Sequence, residues 1–197
     1  MIDKPAEHFE EALQRILFYN QLLWQTGHGL NGLGRLDKIL EDCYFDDLNS
    51  GFITQEDAYD LIKSFLKTLH TYYWYKSAAL MGDTGQVIIL GGKYDDEYGE
   101  YYFYNDLTYM FIRAIKELQL PDPKVLLRVS SETPRDLIEL SLETINTGIG
   151  SPLFSNDEVV IDKMIEFGYD KEDANNYVVS ACWEPSAVGK GFEQNNI

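Results

Sequence analysis

The chain has 197 residues, 45% of them hydrophobic, and a formal net charge of −17. That apolar share suffices for one domain with a core, and so acidic a surface repels phosphate backbones and anionic lipid, which argues against nucleic acid and membrane as partners. No apolar run approaches a membrane span, "MIDKPAEHFEEALQRIL" lacks the basic start and apolar core of a secretion signal, and Cys43 and Cys182 are too few for a disulfide scaffold, so two free thiols in a reduced cytoplasm are expected.

In chain order, helical patterns alternate with short apolar runs, an α/β signature. "PAEHFEEALQRILFYNQLLW" carries a helical stripe of Phe9, Leu13, Ile16, Leu17 and Leu23. "GHGLNGLG", from Gly27 to Gly34, reads as a glycine-rich loop ahead of a helix, with no clear strand before it. It matches neither the Walker pattern nor the dinucleotide fingerprint. Two readings stay open: glycines accepting unusual backbone angles, or a pocket lining in which His28 presents a polar ring. "LDKILEDCYFDDL" and "TQEDAYDLIKSFLKTLHTYYWYKSAALM" read as helices. "DDLNSGFITQED" imitates a calcium loop, but Leu48 cannot ligate at the third place and Asp57 stands where glutamate is needed. A turn at Asn49, Ser50 and Gly51, then a helix capped by Thr54, explains the same letters. His8, His28 and His70 fall on different elements and make no metal-ligand spacing.

"GQVIILGG" is a continuous apolar run between glycines, as a buried parallel strand would be. "KYDDEYGEYYFYND" is acidic and tyrosine-rich and reads as a surface excursion. "NDLTYMFIRAIKEL" is expected to be helix and "KVLLRV" strand. "TPRDLIELSLETI" reads as helix, with Thr133 as N-cap and Pro134 in the first turn. "NDEVVIDKMIEFG" and "KEDANNYVV" follow as helices leading into Ser180 and Ala181. No repeat or linker divides the chain, so residues 1–197 form one domain or one piece of a larger one.

"CWEP" is the sharpest local feature. Pro185 biases Glu184 toward extended angles. In an extended segment side chains two apart share a face, so Cys182 and Glu184 are expected to point together and Trp183 away, where it is bulky enough to pack behind the loop. An adjacent carboxylate raises a thiol's pKa, whereas hydrolytic cysteines need a cation or histidine nearby. The pair suits a sulfur that carries hydrogen atoms beside a carboxylate that handles protons. A buried structural cysteine accounts for the same letters and stays open.

In order, "GHGLNGLGRLDKIL", "GDTGQVIILGG", "NDLTYMFIRAIKELQLPDPKVLLRVS", "TPRDLIELSLETINTGIGSPLFSNDEVVI" and "YVVSACWEP" resemble the glycyl radical enzymes, the superfamily that includes pyruvate formate-lyase, glycerol dehydratase and choline trimethylamine-lyase. The resemblance covers nearly the whole chain from Gly27 onward. It implies an α/β fold that is part of a ten-stranded barrel, with the catalytic cysteine on a loop inside it. By that likeness Cys182 is the thiyl site, and Glu184 matches the proton-handling glutamate of the dehydratase and eliminase branch. His28 matches a substrate-contacting histidine, but Gly29 replaces the serine that follows it in glycerol dehydratase, and the spacing before Gly34 and Arg35 differs. Diol specificity is therefore not carried over. Ala181 stands where pyruvate formate-lyase has the first of two adjacent cysteines, which argues against acyl transfer.

The family's radical glycine sits in a short Arg-Val-x-Gly-aromatic motif near the end of the chain. The one lookalike, "RVSSE", has Ser131 at the glycine position and is read as barrel structure. Family members are several times longer, so the chain is read as a middle slice without the glycyl radical C-terminal domain. The implied function is a segment of a glycyl radical lyase acting on a small polar organic substrate in an oxygen-free cytoplasm. No cofactor is expected on the segment itself, the glycyl radical being supplied by a region absent from it. The implied partners are the remainder of the enzyme chain, a separate iron–sulfur, S-adenosylmethionine-dependent radical activating enzyme, and a second copy in a homodimer. Two rival readings remain: an inactive remnant serving as scaffold or partner-binding module, and half of a split enzyme completed in trans. A half-barrel exposes strand edges and would self-associate or bind its missing half.

Overall fold

The computed structural model of the protein describes residues 4–26, 31–71, 85–180 and 183–190. Helix α1 (Phe9–Gln25) buries Phe9, Leu13 and Asn20, while Leu23, expected on the buried stripe, is 45% exposed. Strand β1 (Gly32–Arg35) lies inside the stretch read as a loop. A register irregularity between Gly32 and Gly34 hides its alternation. Gly34 has φ +82, and a Cβ there would stand 2.9 Å from Ile39 Cδ1, so the glycine serves both the bulge and the close approach. The next helix is split at Leu40 into α2 (Leu36–Ile39) and α3 (Glu41–Ser50), and Gly51 caps α3 in the left-handed region. Helix α4 (Gln55–Thr71) starts at the expected Thr54 cap, where Asp57 Oδ2 accepts from both the Thr54 N–H and hydroxyl and Thr54 Oγ1 accepts from the Asp57 N–H. The rest of the long helical pattern after Thr71 lies outside the described residues.

Strand β2 (Val87–Leu90) has all four residues fully buried, as its unbroken apolar run implies. The tyrosine-rich stretch forms an antiparallel hairpin, β3 (Lys93–Asp96) with β4 (Gly99–Tyr102), and is more than a surface excursion. Asp95 ties it to the chain near its other end: its backbone exchanges bonds with the Asn176 side chain at 2.9 and 2.7 Å, and its carboxylate accepts from Asn175 at 3.0 Å. Helix α5 (Asp106–Leu118) opens with a capping box between Asn105 and Thr108. After β5 (Lys124–Val129), helix α6 (Arg135–Ile145) has Pro134 as its N-cap. Thr133, the expected cap, is turned instead to the loop, where its hydroxyl accepts from the Ser130 N–H and bonds the Tyr104 hydroxyl at 2.7 Å. Strand β6 (Leu153–Asn156), α7 (Asp157–Glu166) and α8 (Lys171–Asn175) follow. The expected last helix stops at Asn175, and Val178 and Val179 belong to a strand, β7 (Val178–Ser180), which pairs with β8 (Glu184–Ser186).

The main sheet is parallel throughout, in the order β1-β2-β5-β6. Spatial order follows chain order without the reversal of a doubly wound sheet. Side-chain alternation sends Ile88, Leu90, Val125 and Leu127 into a core built with α1–α6. Val87, Ile89 and Leu126 face the other way, into a second cluster with Ile161, Met164, Ala174, Tyr177 and Val179. Both faces are therefore covered, one by helices and the other partly by the β7–β8 hairpin. Among the described residues, no helix is long and apolar enough to cross a membrane, and Cys43 is a free, half-buried thiol.

Candidate active site

The β7–β8 hairpin begins at an ionic anchor. Arg128, at the end of β5, and Asp157, at the start of α7, are both fully buried. Their fork closes with Nε to Oδ1 at 2.8 Å and Nη2 to Oδ2 at 3.0 Å. Arg128 also donates to the carbonyls of Asn175 (2.8 Å) and Tyr177 (3.0 Å), the residues that lead from α8 into β7. The Tyr177 ring lies 3.8 Å from the guanidinium carbon, and its hydroxyl donates to Asp157 Oδ1 at 2.9 Å. Burial raises the Tyr177 pKa, keeping it a neutral donor. The pair is thus bidentate and hydrogen-bonded throughout, the condition under which a buried ion pair is tolerated. Gly92, with φ +91, completes the fit: a Cβ there would stand 2.5 Å from Arg128 Cβ.

Two further buried residues, Arg35 and Asp37, shape the same end of the sheet. Arg35 donates to the carbonyls of Gly91 and Lys93 at 2.9 and 2.8 Å, and burial together with the nearby Arg128 pulls its pKa down to about 10. Asp37 accepts from the Gly91 N–H and the Thr108 hydroxyl, both at 2.7 Å, and its burial raises the carboxyl pKa. These charges hold the Gly91–Gly92 turn.

From that anchor β7 runs along the sheet face beside β1 and β2, with Val179 buried among Val87 and Ile89. The ladder pairs Val178 with Ser186, Val179 with Pro185 and Ser180 with Glu184. Glu184 is extended and half-buried, as the following proline predicts. Pro185 has no N–H to donate and sits in an edge strand, where that is tolerated. Trp183, by contrast, has φ +80. The extended alternation expected through residues 182–184 is therefore interrupted at Trp183; the expected shared face of Cys182 and Glu184 involves a residue outside the described ones. The Trp183 ring is packed, as its bulk suggested. It packs on the second core cluster and lies 5.8 Å from Lys124 Nζ.

Lys124 is the first residue of β5 and is in register with Val87, which in turn is level with Gly32. Asn31, next to Gly32, accepts from the Val87 N–H through its carbonyl at 3.3 Å. Trp183, the residue after Cys182, and Asn31, three residues after His28, are thus brought to one end of the sheet, the N-terminal ends of its strands. Cys182 and His28 themselves lie outside the described residues. Glu184 is the one expected site residue whose place is seen. Beside the hairpin stem a cleft of about 530 Å³ runs along β1, walled by Leu33, Ile39, Ile89, Val178 and Val188, with Arg35 and Tyr94 among its lining residues. Among the described residues, no group of three or more His, Cys, Asp or Glu side chains is placed to hold a metal ion. "KVLLRVS" is an interior strand and its end, with the Ser131 N–H bonded to Glu158 at 3.0 Å.

The buried Arg35, Asp37, Arg128 and Asp157 are not among the residues expected from sequence, although a lone charge inside "KVLLRV" is the kind of signal that marks a buried ion pair.

A family profile described as "Pyruvate formate lyase-like" matches residues 1–196. The isethionate sulfite-lyase of Oleidesulfovibrio alaskensis is 29% identical over 191 residues, covering 92% of this chain and 23% of its own. A solved structure described for 1,2-propanediol dehydration in Roseburia inulinivorans superposes with a TM-score of 0.84 at 32% identity, over 93% of this chain and 23% of the other. A glycyl radical enzyme from Archaeoglobus fulgidus gives a TM-score of 0.83 at 25% identity, over 93% of this chain and 24% of that one. The chain thus spans about a quarter of the length of the relatives it matches.

Proposed function

The chain belongs to the pyruvate formate lyase-like family, and from that membership we propose that it is the thiol-bearing segment of a glycyl radical lyase of the dehydratase or carbon–heteroatom eliminase type. The observation that carries this reading is the hairpin. A buried ionic anchor feeds β7 onto the face of the parallel sheet, and Trp183, which stands between Cys182 and Glu184 in the sequence, packs near Lys124 at the strand ends where Asn31 also lies.

In this reading the Cys182 thiyl takes a hydrogen atom from a hydroxyl-bearing carbon of a small polar substrate, forming S–H as C–H breaks. The substrate hydroxyl then becomes far more acidic, and Glu184 accepts its proton as the neighbouring leaving group departs with the bonding pair. Cys182 returns the hydrogen atom to the product carbon. Holding thiol and carboxylate at one substrate supplies the orientation. A glycyl radical borne outside this chain supplies the odd electron, after installation by a separate iron–sulfur, S-adenosylmethionine-dependent activating enzyme in an oxygen-free cytoplasm. His28 is the candidate substrate contact.

Completion of the sheet fits the same account. β1 and β6 are its edges among the described residues, and Leu153 and Phe154 on β6 are 38% and 40% exposed. The remainder of the enzyme chain closes those edges into the ten-stranded barrel.

The test uses the activated full-length parent in deuterated solvent, offered isethionate and 1,2-propanediol. Glu184→Gln should still wash solvent deuterium into the substrate, while elimination slows about 10²- to 10⁴-fold. Elimination at the parental rate removes Glu184 as the base.

A further inference from the structure

Helix α1 is apolar on two sides. Its inner side is seated on the first core through Phe9 and Leu13, with Ile16, Leu17 and Trp24 packed beside them. On its outer side Phe18, Tyr19, Leu22 and Leu23 are each 41–50% exposed. They stand at i, i+1, i+4 and i+5, which the 3.6-residue period joins into one stripe. The Phe18 and Tyr19 rings meet edge to face with centroids 5.8 Å apart, so the stripe is one patch and not scattered residues. A helix at a protein surface is polar on its outer side, whereas one that is apolar all round belongs to an interior. Charge agrees: the chain has 33 acidic residues, yet none falls between Glu11 and Asp37.

Area and charge decide what covers the stripe. Four large side chains a little under half exposed offer on the order of 350 Å². A stable contact between separate proteins buries about 800 Å² on each. A second copy of the chain, at −17, is also repelled. A segment of the same polypeptide needs neither the larger area nor an encounter, because covalent linkage removes the loss of translational freedom. The relatives have such segments: this chain spans 23% of the length of the Oleidesulfovibrio alaskensis protein.

We propose that the outer stripe of α1 is an intramolecular docking face. In the full-length parent an apolar helix from outside residues 1–197 lies on Phe18, Tyr19, Leu22 and Leu23, between whose i, i+4 rows its ridges fit, and α1 becomes a central helix between two layers. The inference rests on the chain being a segment of a longer enzyme. It also accounts for Leu23, which the apolar periodicity marks for burial and the described residues leave uncovered.

The experiment uses the full-length parent with the photoreactive p-benzoylphenylalanine in place of Tyr19. Irradiation should give a product of monomer mass in which peptide mapping joins position 19 to a peptide from outside residues 1–197. A crosslink to a second copy, to a different protein or within residues 1–197 overturns the inference, and so does the absence of any crosslink. If the replacement at Tyr19 does not fold, the same group at Gln25 decides alone, since Gln25 is exposed and follows Leu22 by three residues on the same stripe. Turnover of the unsubstituted parent separates this inference from the lyase reading. The expected crosslink in a parent without radical-dependent elimination leaves the docking face standing and removes that reading. Elimination by a parent whose variants give no such crosslink removes the docking face alone.

Discussion

His8 shows how much a single side chain contributes away from the candidate site. Its ring stacks on Phe52 with centroids 4.1 Å apart, and Nδ1 bonds Asp47 Oδ1 at 2.7 Å. Asp47 is nearly buried and also accepts from the Phe9 N–H at 2.7 Å, so one carboxylate joins α3 to the start of α1. The bond to Asp47 raises the His8 pKa above its ordinary 6.5, with Glu7 and Glu11 adding to the pull. A raised folded-state value means that the stabilisation is complete below the unfolded value and fades as pH rises through the folded one. Denaturation midpoints should therefore decline as pH is raised above about 6.5, and His8→Gln should remove that component. An identical slope in the variant would refute it. The pairing was not legible in the sequence, where His8 is one of three scattered histidines. Its partner lies 39 residues away and is chosen by helix packing.

Elements were legible where local pattern and tertiary role agree. The unbroken apolar run of β2 and the periodicity of α5 identify themselves. β1, β6 and β8 did not, because a bulge at glycine, an exposed edge and a three-residue strand each erase the alternation that a strand otherwise shows. Thr133 misleads for a related reason: a good capping residue was taken up by Tyr104 and the Ser130 N–H, leaving Pro134 to start α6. The union of β5, α7 and β7 depends on Arg128 and Asp157. Arg128→Met should leave a buried carboxylate unpaired and cost roughly 3–5 kcal/mol, whereas Arg128→Met with Asp157→Leu should recover a large part of that loss. Urea unfolding of the parent and the two variants checks this. Equal losses for the single and double replacements would show that the ion pair is not what holds the hairpin's root.

At the scale of the molecule, the ordered set of motifs made the family legible, and the profile match and superposition agree with it. The site was only partly legible. Glu184 lies on a hairpin strand as the proline implies, yet the extended alternation on which a face shared with Cys182 was expected is interrupted at Trp183. Nor does the sequence show that the hairpin is seated across the sheet from α1–α6, since Arg128, Asp157 and Asn176 act between segments far apart in the chain. In the proposed reading catalysis belongs to a longer enzyme: among the described residues β1 and β6 are the sheet's edges, and the chain spans about 23% of the length of its relative. The decisive measurement is therefore made on the activated full-length parent with Cys182→Ala, recording radical content and product formation together. The account predicts a glycyl radical signal comparable to the parent's with no turnover. Turnover at the parental rate would contradict it.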